Sequence, residues 1–454
     1  MTSESKHFDL IVIGSGSAGS ACWYAARRLG KSVAVFEGET LGGECPTYAC
    51  VPTKALLHCA EVYETVRDAA RFGVEAAGVS VDYERVKAWK DDVVSQTGAA
   101  RGEAPYHEMG VTIVRQHARF VGLREVEAGG ERYTAEHFLI ATGSSQRVPP
   151  IPGLADAGYL TFKEAIDLTV LPGSLLVLGG GAVGCEFAHL FSAYGVAITI
   201  ADRNDRLVHR EDVDASDFLR THLEARGVTL RLGASVAGVA REGSGKRVTL
   251  ERDGRQETLL FDEILVATGK TPNLDVGLEA AGIEAKEDGI VVDETLRTTN
   301  EAVYAAGDVV GPYRFTHAAS YQGDLTCTNM FTAEQRRVDY KAMPRCVFTA
   351  PEVAAVGLTE AEAREKGIAL RIGRADMHEV DRAITCGQLE GFVKVLADAE
   401  GHLVGASIVA PRAGEMVQEL ALAIALGATG KQVAATVHAF PTYSEAVATA
   451  CGQV

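Results

Sequence analysis

Two cysteines near the start of the chain have a spacing that allows redox chemistry. Cys45 and Cys50 are separated by four residues in the segment GGECPTYACVPTK at 42–54. At the start of a helix this spacing lets two sulfur atoms meet across one turn, and the helix dipole stabilises a thiolate there. The flanking Gly-Gly and Pro-Thr-Lys would not be expected around two buried structural cysteines. The segment therefore predicts a reactive cysteine pair.

A glycine-rich loop before the cysteines has the spacing of a dinucleotide-binding turn. Gly14, Gly16 and Gly19 fit G-x-G-x-x-G directly after the apolar run FDLIVI, and Glu37 follows eighteen residues beyond the last glycine. The first glycine allows a tight turn, the second lets the backbone approach a pyrophosphate, and the third lets helix and strand pack closely. The pyrophosphate would lie at the helix N-terminus, and Glu37 would accept ribose hydroxyls.

The same pattern occurs a second time. Gly179, Gly181 and Gly184 follow the apolar run SLLVL, and Asp202 again lies eighteen residues beyond the last glycine. Two such units in one chain predict two bound nucleotides, one resident and one exchangeable.

The residues around Asp202 bear on which pyridine nucleotide is used. The Asp202 carboxylate would repel a 2′-phosphate, which favours NADH. Arg203 and Arg206 leave NADPH possible, because an arginine can accept a 2′-phosphate. The same two arginines are equally compatible with ordinary solvated surface charges.

Composition excludes several function classes. The 454 residues carry a formal net charge of −17 and a sequence pI of about 5.2, whereas nucleic-acid binding needs a basic surface. No apolar run reaches the roughly 18 residues of a spanning helix, and the N-terminus lacks a signal-peptide pattern, so a cytoplasmic protein without a membrane partner is expected. The nine cysteines include no C-x-x-C pair and no zinc spacing, so no metal site is predicted.

The order of strand and helix patterns predicts an α/β protein with two Rossmann-like dinucleotide-binding domains and a C-terminal α+β domain. Both β-α-β units are closed by an Ala-Thr-Gly tripeptide at the end of an apolar strand. A proline-rich connection near 149–152 marks a boundary. The predicted domains are 1–150 and 151–270 for the two nucleotides, 271–335 as a central segment that completes the first, and 336–454 at the C-terminus.

Taken together, the motifs resemble a known family. Besides the cysteine segment, the chain contains GGGAVGCEFA at 179–188, VATGKTPN at 266–273, VYAAGDV at 303–309 and TAPEVAAVG at 349–357. In this order they resemble the class I pyridine nucleotide–disulfide oxidoreductases, such as dihydrolipoamide dehydrogenase, glutathione reductase and mercuric reductase. The resemblance covers essentially the whole chain. It implies bound FAD, use of NADH or NADPH, and a homodimer in which the C-terminal domain completes the partner's active site.

The resemblance also implies residue roles. Cys50 would face the flavin as the charge-transfer thiolate, and Cys45 would be the interchange thiol that meets the substrate. Lys54 would lie beside flavin N5, paired with Glu186, and Asp308 would bind the ribityl chain. Further implied nucleotide contacts are Gly43, Ala118, Thr142, Gly143 and Thr316 for FAD, and Gly269 for the pyridine nucleotide.

The C-terminal signature departs from the family. Members have His-Pro-Thr-x-Ser-Glu, in which the histidine is the general base and the glutamate orients it. In this chain Phe440 occupies the base position and Glu445 is retained, and a phenyl ring cannot take a proton. His438 could act as the base from two residues upstream, although such a shift normally spoils proton-transfer geometry.

Three function classes follow from this departure. The first is a disulfide reductase-type enzyme with an unusual electron acceptor. The second is a quinone or metal-ion reductase, either similar to mercuric reductase or diaphorase-like, and in the diaphorase-like case the cysteines are redox sensors rather than catalysts. Phe440 and the segment C-P-x-x-A-C-V-P also resemble 2-ketopropyl-coenzyme M oxidoreductase/carboxylase, but that enzyme replaces both the glutamate and the flavin-side lysine. The third class is a non-catalytic subunit of a 2-oxoacid dehydrogenase assembly. The sequence does not name the acceptor.

Overall fold

A computed structural model describes residues 6–454, without the Ala99 side chain. Residues 1–5, which the predicted first domain includes, lie outside this description. The described chain forms two compact units. The first holds the chain up to Ala55, Ala88–Arg147 and Gly269–Val338, and the second holds Leu56–Lys87, Val148–Thr268 and Asp339–Val454. The predicted division into functional domains stays a prediction.

The strands are numbered in chain order. They are β1 (Lys6–Ile13), β2 (Val33–Phe36), β3 (Thr112–Val114), β4 (Arg119–Gly122), β5 (Glu125–Ala128), β6 (Glu131–Ile140), β7 (Ser144–Gln146), β8 (Ser174–Leu178), β9 (Ala197–Asp202), β10 (Thr229–Leu232), β11 (Ser235–Glu242), β12 (Gly245–Arg252), β13 (Arg255–Phe261), β14 (Glu263–Val266), β15 (Lys270–Pro272), β16 (Ala285–Lys286), β17 (Gly289–Ile290), β18 (Val303–Ala305), β19 (Pro344–Val347), β20 (Glu352–Gly357), β21 (Arg371–Asp376), β22 (Phe392–Ala397) and β23 (Leu403–Ala410).

The α-helices are numbered in the same way. They are α1 (Ser17–Arg28), α2 (Glu44–Thr47), α3 (Cys50–Arg67), α4 (Tyr83–Ser95), α5 (Ala104–Glu108), α6 (Leu154–Ala157), α7 (Phe162–Ala165), α8 (Ala182–Ala193), α9 (Val213–Ala225), α10 (Thr316–Phe331), α11 (Glu360–Glu365), α12 (Asp381–Cys386), α13 (Ala413–Leu426), α14 (Gly430–Ala434) and α15 (Glu445–Cys451). Short 3-10 helices lie at Ala69–Phe72, Gly98–Arg101, Leu278–Ala281 and Met377–Glu379.

The first unit is organised by one sheet with the strand order β3-β2-β1-β6-β5-β4, and β18 also pairs with β6. β3, β2, β1, β6 and β18 run parallel, whereas β5 and β4 are added antiparallel. Leu10, Ile11 and Val12 of β1 are all fully buried, because a central parallel strand is covered on both faces. This double burial explains why the strand is a continuous apolar run in the sequence.

The second unit contains two larger sheets. A parallel sheet has the order β10-β9-β8-β14, and an antiparallel sheet has the order β19-β20-β23-β22-β21. A three-stranded antiparallel sheet, β11-β12-β13, is inserted before β14. Helix α13 packs on β20 and β23. Parallel sheets with helices followed by an antiparallel C-terminal sheet confirm the predicted α/β fold class.

Buried charges join the helical and C-terminal parts of the second unit. Lys394 of β22 donates from Nζ to Asp212 Oδ1 and Asp214 Oδ2, each at 3.0 Å, and pairs with Glu360 at 2.7 Å. Lys394 and Asp212 are both buried. A buried ammonium is tolerated when carboxylates surround it, so this cluster fixes the start of α9 against the C-terminal sheet.

Candidate active site

The cysteine pair lies where α2 is followed by α3. Cys45 is in α2, Cys50 is the first residue of α3, and both are thiols in the structure. The hydrogen bond with Cys50 and then burial raise the pKa of Cys45, while the Thr316 hydroxyl and Lys54 act in the opposite direction. Thr316 Oγ1 also lies 3.4 Å from Cys50 Sγ. The geometry therefore keeps the proton of a reduced pair on Cys45.

The first glycine loop shows which of its glycines the fold itself requires. Gly14 has φ +100°, and a Cβ on it would lie 2.3 Å from the Ala141 carbonyl oxygen. A Cβ on Gly19 would lie 2.1 Å from the Gly14 carbonyl oxygen. A Cβ on Gly16 would meet nothing within 4 Å, and Gly16 is the N-cap of α1 without a side-chain cap. Open space beside uncapped helical N–H groups is what a pyrophosphate requires.

Glu37, at the end of β2, is held in place by the same loop. Its Oε2 accepts hydrogen bonds from Ser15 N at 3.0 Å and Ser15 Oγ at 2.6 Å, and its Oε1 accepts one from Glu39 N at 2.8 Å. The fully buried Ser15 hydroxyl also accepts a hydrogen bond from Gly42 N at 3.0 Å. Ser15 therefore connects the glycine loop, the acid and the segment that leads to the cysteines.

Three further residues predicted to contact FAD, Thr142, Gly143 and Asp308, lie at one edge of the first sheet, because the carboxyl ends of parallel strands lie side by side. Thr142 and Gly143 follow β6. Asp308 follows β18, and its Oδ2 accepts a hydrogen bond from Ser144 Oγ at 2.6 Å. A Cβ on Gly43 would lie 2.8 Å from Gly16 Cα. The residues present therefore fit a dinucleotide with its pyrophosphate at α1.

The surroundings of two other predicted nucleotide contacts, Ala118 and Gly269, do not resemble a nucleotide site as closely. Ala118 is buried in the apolar core of the first unit, between β3 and β4. Gly269, which was predicted to contact the pyridine nucleotide, belongs to the first unit, where its carbonyl accepts a hydrogen bond from Arg147 N at 2.9 Å.

The second glycine loop repeats the first within the second unit. A Cβ on Gly179 (φ +111°) would lie 2.5 Å from the Ala267 carbonyl oxygen, and one on Gly184 would lie 1.9 Å from the Gly179 carbonyl oxygen. A Cβ on Gly181, the uncapped start of α8, would again meet nothing within 4 Å. The same room for a pyrophosphate therefore exists here.

Asp202, at the end of β9, is the counterpart of Glu37. Its Oδ2 accepts a hydrogen bond from Gly180 N at 2.5 Å, and its Oδ1 accepts from Asn204 N and Nδ2, both at 2.8 Å. The carboxylate is thus oriented by three donors, as the Glu37 carboxylate is.

The two residues predicted to lie on the flavin side are on helices. Lys54 is one turn beyond Cys50 on α3. Glu186, on α8, is only 5% exposed, and its Oε1 accepts a hydrogen bond from Phe348 N at 3.0 Å. The Phe348 amide thus provides a hydrogen-bond donor to this buried side chain.

His438 is locked by neighbours in the C-terminal domain. Its Nδ1 lies 2.7 Å from the Thr436 carbonyl oxygen and its Nε2 lies 2.8 Å from Glu419 Oε1. Both ring nitrogens therefore face oxygen atoms of the same chain. An imidazole held in this way must give up one of these contacts before it can take a proton from a substrate.

Phe440 and Glu445 are the two other predicted site residues of the C-terminal segment. Phe440 is 72% exposed within the single chain. Glu445 Oε1 accepts a hydrogen bond from Thr442 N at 2.8 Å, which caps the turn before α15. Within residues 6–454, the partner that the structure gives to His438 is therefore Glu419 and not Glu445.

Sequence reasoning missed three residues at these sites. Ser15 stands inside the glycine motif, and a polar residue at its second position was the available signal. Glu44, directly before Cys45, forms an ion pair with Lys270, and Glu419 holds His438. No spacing rule identifies these last two, because their partners are distant in the sequence.

Comparison with protein families agrees with this geometry. Residues 8–323 match the model described as pyridine nucleotide-disulphide oxidoreductase, and residues 343–451 match the dimerisation domain of the same family. The chain belongs to the pyridine nucleotide–disulphide oxidoreductase family. The predicted family, the C-terminal dimerisation domain and the assignment as an enzyme are thereby confirmed, and the dimerisation domain supports a homodimer.

Relatives of this oxidoreductase are named for different substrates. It is 37% identical over 449 residues to a dihydrolipoyl dehydrogenase of Thermus scotoductus, covering 97% of this chain and 96% of that protein. It is also 37% identical over 449 residues to a mercuric reductase of Streptomyces lividans, covering 97% and 94%. Similarity to both leaves the acceptor open.

Solved structures show the same overall fold. LpdA from Mycobacterium tuberculosis superposes with a TM-score of 0.90 at 27% identity, covering 98% of this oxidoreductase and 99% of LpdA. The Cu(II) complex of the flavoprotein disulfide reductase RclA from Escherichia coli superposes with a TM-score of 0.89 at 27% identity, covering 99% and 100%. The family is FAD-dependent and uses pyridine nucleotides, which confirms the predicted cofactors, with the choice between NADH and NADPH open.

The described part of the chain has neither a cluster of metal ligands nor a membrane-spanning helix. Within residues 6–454, no group of three or more His, Cys, Asp or Glu side chains could hold a metal ion. No helix in that part of the chain is long and apolar enough to cross a membrane.

Proposed function

We propose that this oxidoreductase passes electrons from a pyridine nucleotide through FAD to the Cys45–Cys50 disulfide and then to a thiophilic metal ion. The observation that carries the proposal is the C-terminal segment, where Phe440 stands at the base position and both ring nitrogens of His438 are engaged. When bound, FAD supplies two-electron transfer between the nicotinamide and the cysteine pair.

The cysteine pair has the groups needed to hold one thiolate and one thiol. Cys50 begins α3, whose N-terminus favours a negative charge. The Thr316 hydroxyl lies against Cys50 Sγ, and the raised pKa of Cys45 keeps a proton on that sulfur, mainly through its hydrogen bond to Cys50. We assign Cys50 to the flavin side and Cys45 to the acceptor, with Lys54 and Glu186 beside the flavin.

Oxidation of a dithiol substrate needs a group that takes its proton. A positioned base contributes about 10²–10⁴ in rate. The phenyl ring of Phe440 cannot provide it, and the imidazole of His438 would first have to leave Thr436 or Glu419. Dihydrolipoamide and similar dithiols are therefore expected to be poor substrates.

A thiophilic metal ion avoids this requirement, because thiolates are its ligands and no substrate proton has to be removed. Oxidation of the reduced pair, one thiolate and one thiol, to the disulfide gives two electrons and one proton. The electrons reduce one Hg(II) to Hg(0) or two Cu(II) to two Cu(I), and the proton is released to water. Similarity to a mercuric reductase and to RclA, whose structure was solved as a Cu(II) complex, supports this acceptor class.

The test is an anaerobic acceptor panel with the FAD-loaded enzyme. We expect NADH- or NADPH-driven reduction of Cu(II) or Hg(II), slow turnover of dihydrolipoamide and of oxidised glutathione, and loss of metal reduction in Cys45→Ser. Cys451→Ser is the matched control, because Cys451 is fully buried in the C-terminal domain. Faster turnover of dihydrolipoamide than of either metal would contradict the proposal. If the enzyme reduced quinones but not metal ions, and if Cys45→Ser still reduced quinones, the enzyme would instead be a quinone reductase.

Phe440→His provides the complementary test. With Glu445 available to orient the new imidazole, the dihydrolipoamide rate should rise by at least about tenfold, while metal reduction changes little. His438→Asn should leave both rates nearly unchanged if His438 is held as a structural group. A dithiol rate that falls in His438→Asn would show that His438 acts as the base after all.

A further inference from the structure

The turn that carries Cys45 is weakly anchored by its own backbone. Helix α2 (Glu44–Thr47) has four residues, begins after Gly43 at φ +75° and has no side-chain cap at its start. None of its residues is fully buried. A helix of one turn is not stable in isolation, because its few hydrogen bonds do not offset the cost of fixing the backbone. The position of Cys45 therefore depends on contacts made by neighbouring side chains.

Glu44, the residue before Cys45, makes such a contact. Its Oε2 forms an ion pair with Nζ of Lys270, the first residue of β15, which lies 226 positions away in the sequence. The Glu44 side chain is 25% exposed and the Lys270 side chain 24%. Partly buried ion pairs are screened less by salt than exposed ones, and a charge-assisted hydrogen bond is stronger than a neutral one. The ion pair thus attaches the Cys45 turn to β15.

Lys270 is itself fixed through its backbone. It pairs with Gln146 of β7 in an antiparallel ladder, and Gln146 Nε2 donates to the Gly269 carbonyl oxygen at 3.0 Å. On the other side, the Lys270 carbonyl oxygen accepts a hydrogen bond from Arg314 Nη1 at 3.0 Å. Arg314 Nη2 also donates to the Asp288 carbonyl oxygen at 3.2 Å. The anchor of the ion pair is therefore held by two neighbouring segments.

Arg314 also leads to the other cysteine. It lies two residues before Thr316, the first residue of α10, and Thr316 Oγ1 is 3.4 Å from Cys50 Sγ. One arginine thus holds both the strand that pairs with Glu44 and the start of the helix that contacts Cys50. The two cysteines are therefore connected through this set of contacts as well as through the chain between α2 and α3.

The ion pair is needed most when the cysteines are reduced. In the disulfide a covalent bond of about 2 Å holds Cys45 to Cys50, whereas a hydrogen bond joins the two sulfurs in the reduced pair. Transfer of two electrons to the acceptor, with release of one proton, forms the disulfide again. A misplacement of about 1 Å can slow such a step by about 10²-fold. The reduced state therefore needs an anchor that the disulfide state does not.

We propose that the ion pair between Glu44 and Lys270 positions Cys45 for the oxidation of the reduced cysteine pair. The inference rests on the proposed roles of Cys45 and Cys50. Glu44 and Lys270 are positioning residues, which act through the Cys45 turn. Loss of either charge slows the step that forms the disulfide again. The step that reduces the disulfide is spared, because the covalent bond holds Cys45 in place until it is broken.

The test measures the two half-reactions of the FAD-loaded enzyme separately by anaerobic rapid mixing. Flavin absorbance reports reduction by an equimolar amount of NADH or NADPH, and loss of the thiolate-to-flavin charge-transfer absorbance reports reoxidation of the cysteine pair. The oxidants are Cu(II) and an uncharged dipyridyl disulfide, whose S–S bond is cleaved as the protein disulfide forms. Lys270→Met and Glu44→Gln should each slow reoxidation by both oxidants about tenfold or more, with the reductive rate changed less than about twofold.

Three control variants separate positioning from a general loss of structure. Lys270→Arg keeps the positive charge and should retain most of the native reoxidation rate. The double variant Glu44→Gln/Lys270→Met should be no slower than either single variant, because both changes remove the same interaction. Lys6→Met breaks another lysine–glutamate pair of the first unit, with Glu131 at 2.9 Å, and should leave both half-reactions unchanged. Charge-transfer absorbance in each reduced variant shows that Cys50 and the flavin are in place.

Other results decide between the inference and the proposed function. If the dipyridyl disulfide reoxidises Lys270→Met and Glu44→Gln at the native rate, the ion pair does not position Cys45 and the inference is overturned. Equal slowing of both half-reactions, or additive losses in the double variant, would also contradict it. If the disulfide but not Cu(II) reoxidises the native enzyme, the metal acceptor is wrong, and the disulfide rates still decide the inference. If neither oxidant acts on the native reduced pair, the proposed roles of Cys45 and Cys50 fail together with the inference.

Discussion

In each compact unit a glycine loop follows a parallel strand, and an acid at the end of the next strand accepts three hydrogen bonds. The two loops differ at the second position of the motif. Ser15 occupies it in the first, and its hydroxyl bonds both Glu37 and Gly42 N. Gly180 occupies it in the second, where a Cβ would lie 2.7 Å from Leu207 Cδ2.

The residue at this position determines which neighbouring segment each loop contacts. The first loop is hydrogen-bonded to the segment that leads to the cysteines, as suits a resident nucleotide that must stay aligned with them. In the second loop the missing side chain lets the segment that carries Arg206 pack against the motif. Two loops with the same spacing therefore have different surroundings, as the proposed resident and exchangeable nucleotides would require.

The largest effect is expected when the first glycine of either loop is replaced. Each replacement should cause the loss of a different nucleotide. Gly14→Ala places a Cβ against the Ala141 carbonyl at a left-handed φ and should cost at least about 3 kcal/mol, with loss of bound FAD. Gly179→Ala creates the same clash with Ala267 and should leave FAD bound while flavin reduction by NADH is lost. Flavin absorbance and anaerobic NADH titration measure these outcomes.

The matched controls are Gly16→Ala and Gly181→Ala, whose new Cβ atoms meet nothing within 4 Å. Both should fold normally, and each should weaken its own nucleotide, because the added methyl group occupies pyrophosphate space. If Gly16→Ala kept full FAD affinity, the pyrophosphate would not lie at α1.

A second prediction concerns a partly buried carboxylate that has fewer hydrogen-bond donors than Glu37 or Asp202. Glu352 in β20 has one donor, Gly414 N at 2.8 Å, and burial raises its pKa from 4.5 to about 7. The folded state therefore favours the protonated form. The resulting stability is fully present below about pH 4.5 and is lost as the pH rises through about 7, by at most about 3 kcal/mol.

Hydrogen exchange of the β20 and α13 amides, corrected for intrinsic exchange rates, measures this loss of stability. The experiment covers about pH 5 to 8, roughly the range over which Glu352 titrates. Glu352→Gln should remove the pH dependence. An equally large pH dependence in that variant would assign the effect to another group.

The smallest expected effect concerns the serine that distinguishes the first loop. Ser15→Ala removes two hydrogen bonds of a buried hydroxyl and should cost about 1–2 kcal/mol. It should also loosen the 42–45 segment, so that reduced Cys45 reacts faster with a thiol reagent. Thermal unfolding of the FAD-loaded protein and alkylation rates measure both effects, with Ser20→Ala as the control. Unchanged alkylation would show that the Gly42 contact does not steady the cysteines.

The sequence alone determined the features that depend on local geometry. A tight turn, a close approach of helix to strand and an acid at the next strand end are all properties of one β-α-β unit. Gly14, Gly19, Gly179 and Gly184 could therefore be recognised from spacing, and the structure shows the contacts that require them. The confirmed fold class follows from the repetition of that unit.

Only the tertiary structure decided which distant side chains meet. Ser15 reaches Gly42 across twenty-seven residues, and Glu419 reaches His438 across nineteen. No periodicity connects such positions, because the contacts arise when separate elements pack. The enclosed Nη1 of Arg206, which has no hydrogen-bond partner in the described part of the chain, also results from packing. Whether a buried donor finds an acceptor depends on all the residues around it. Spacing locates a ligand-binding loop, whereas packing decides which charges around it are already neutralised.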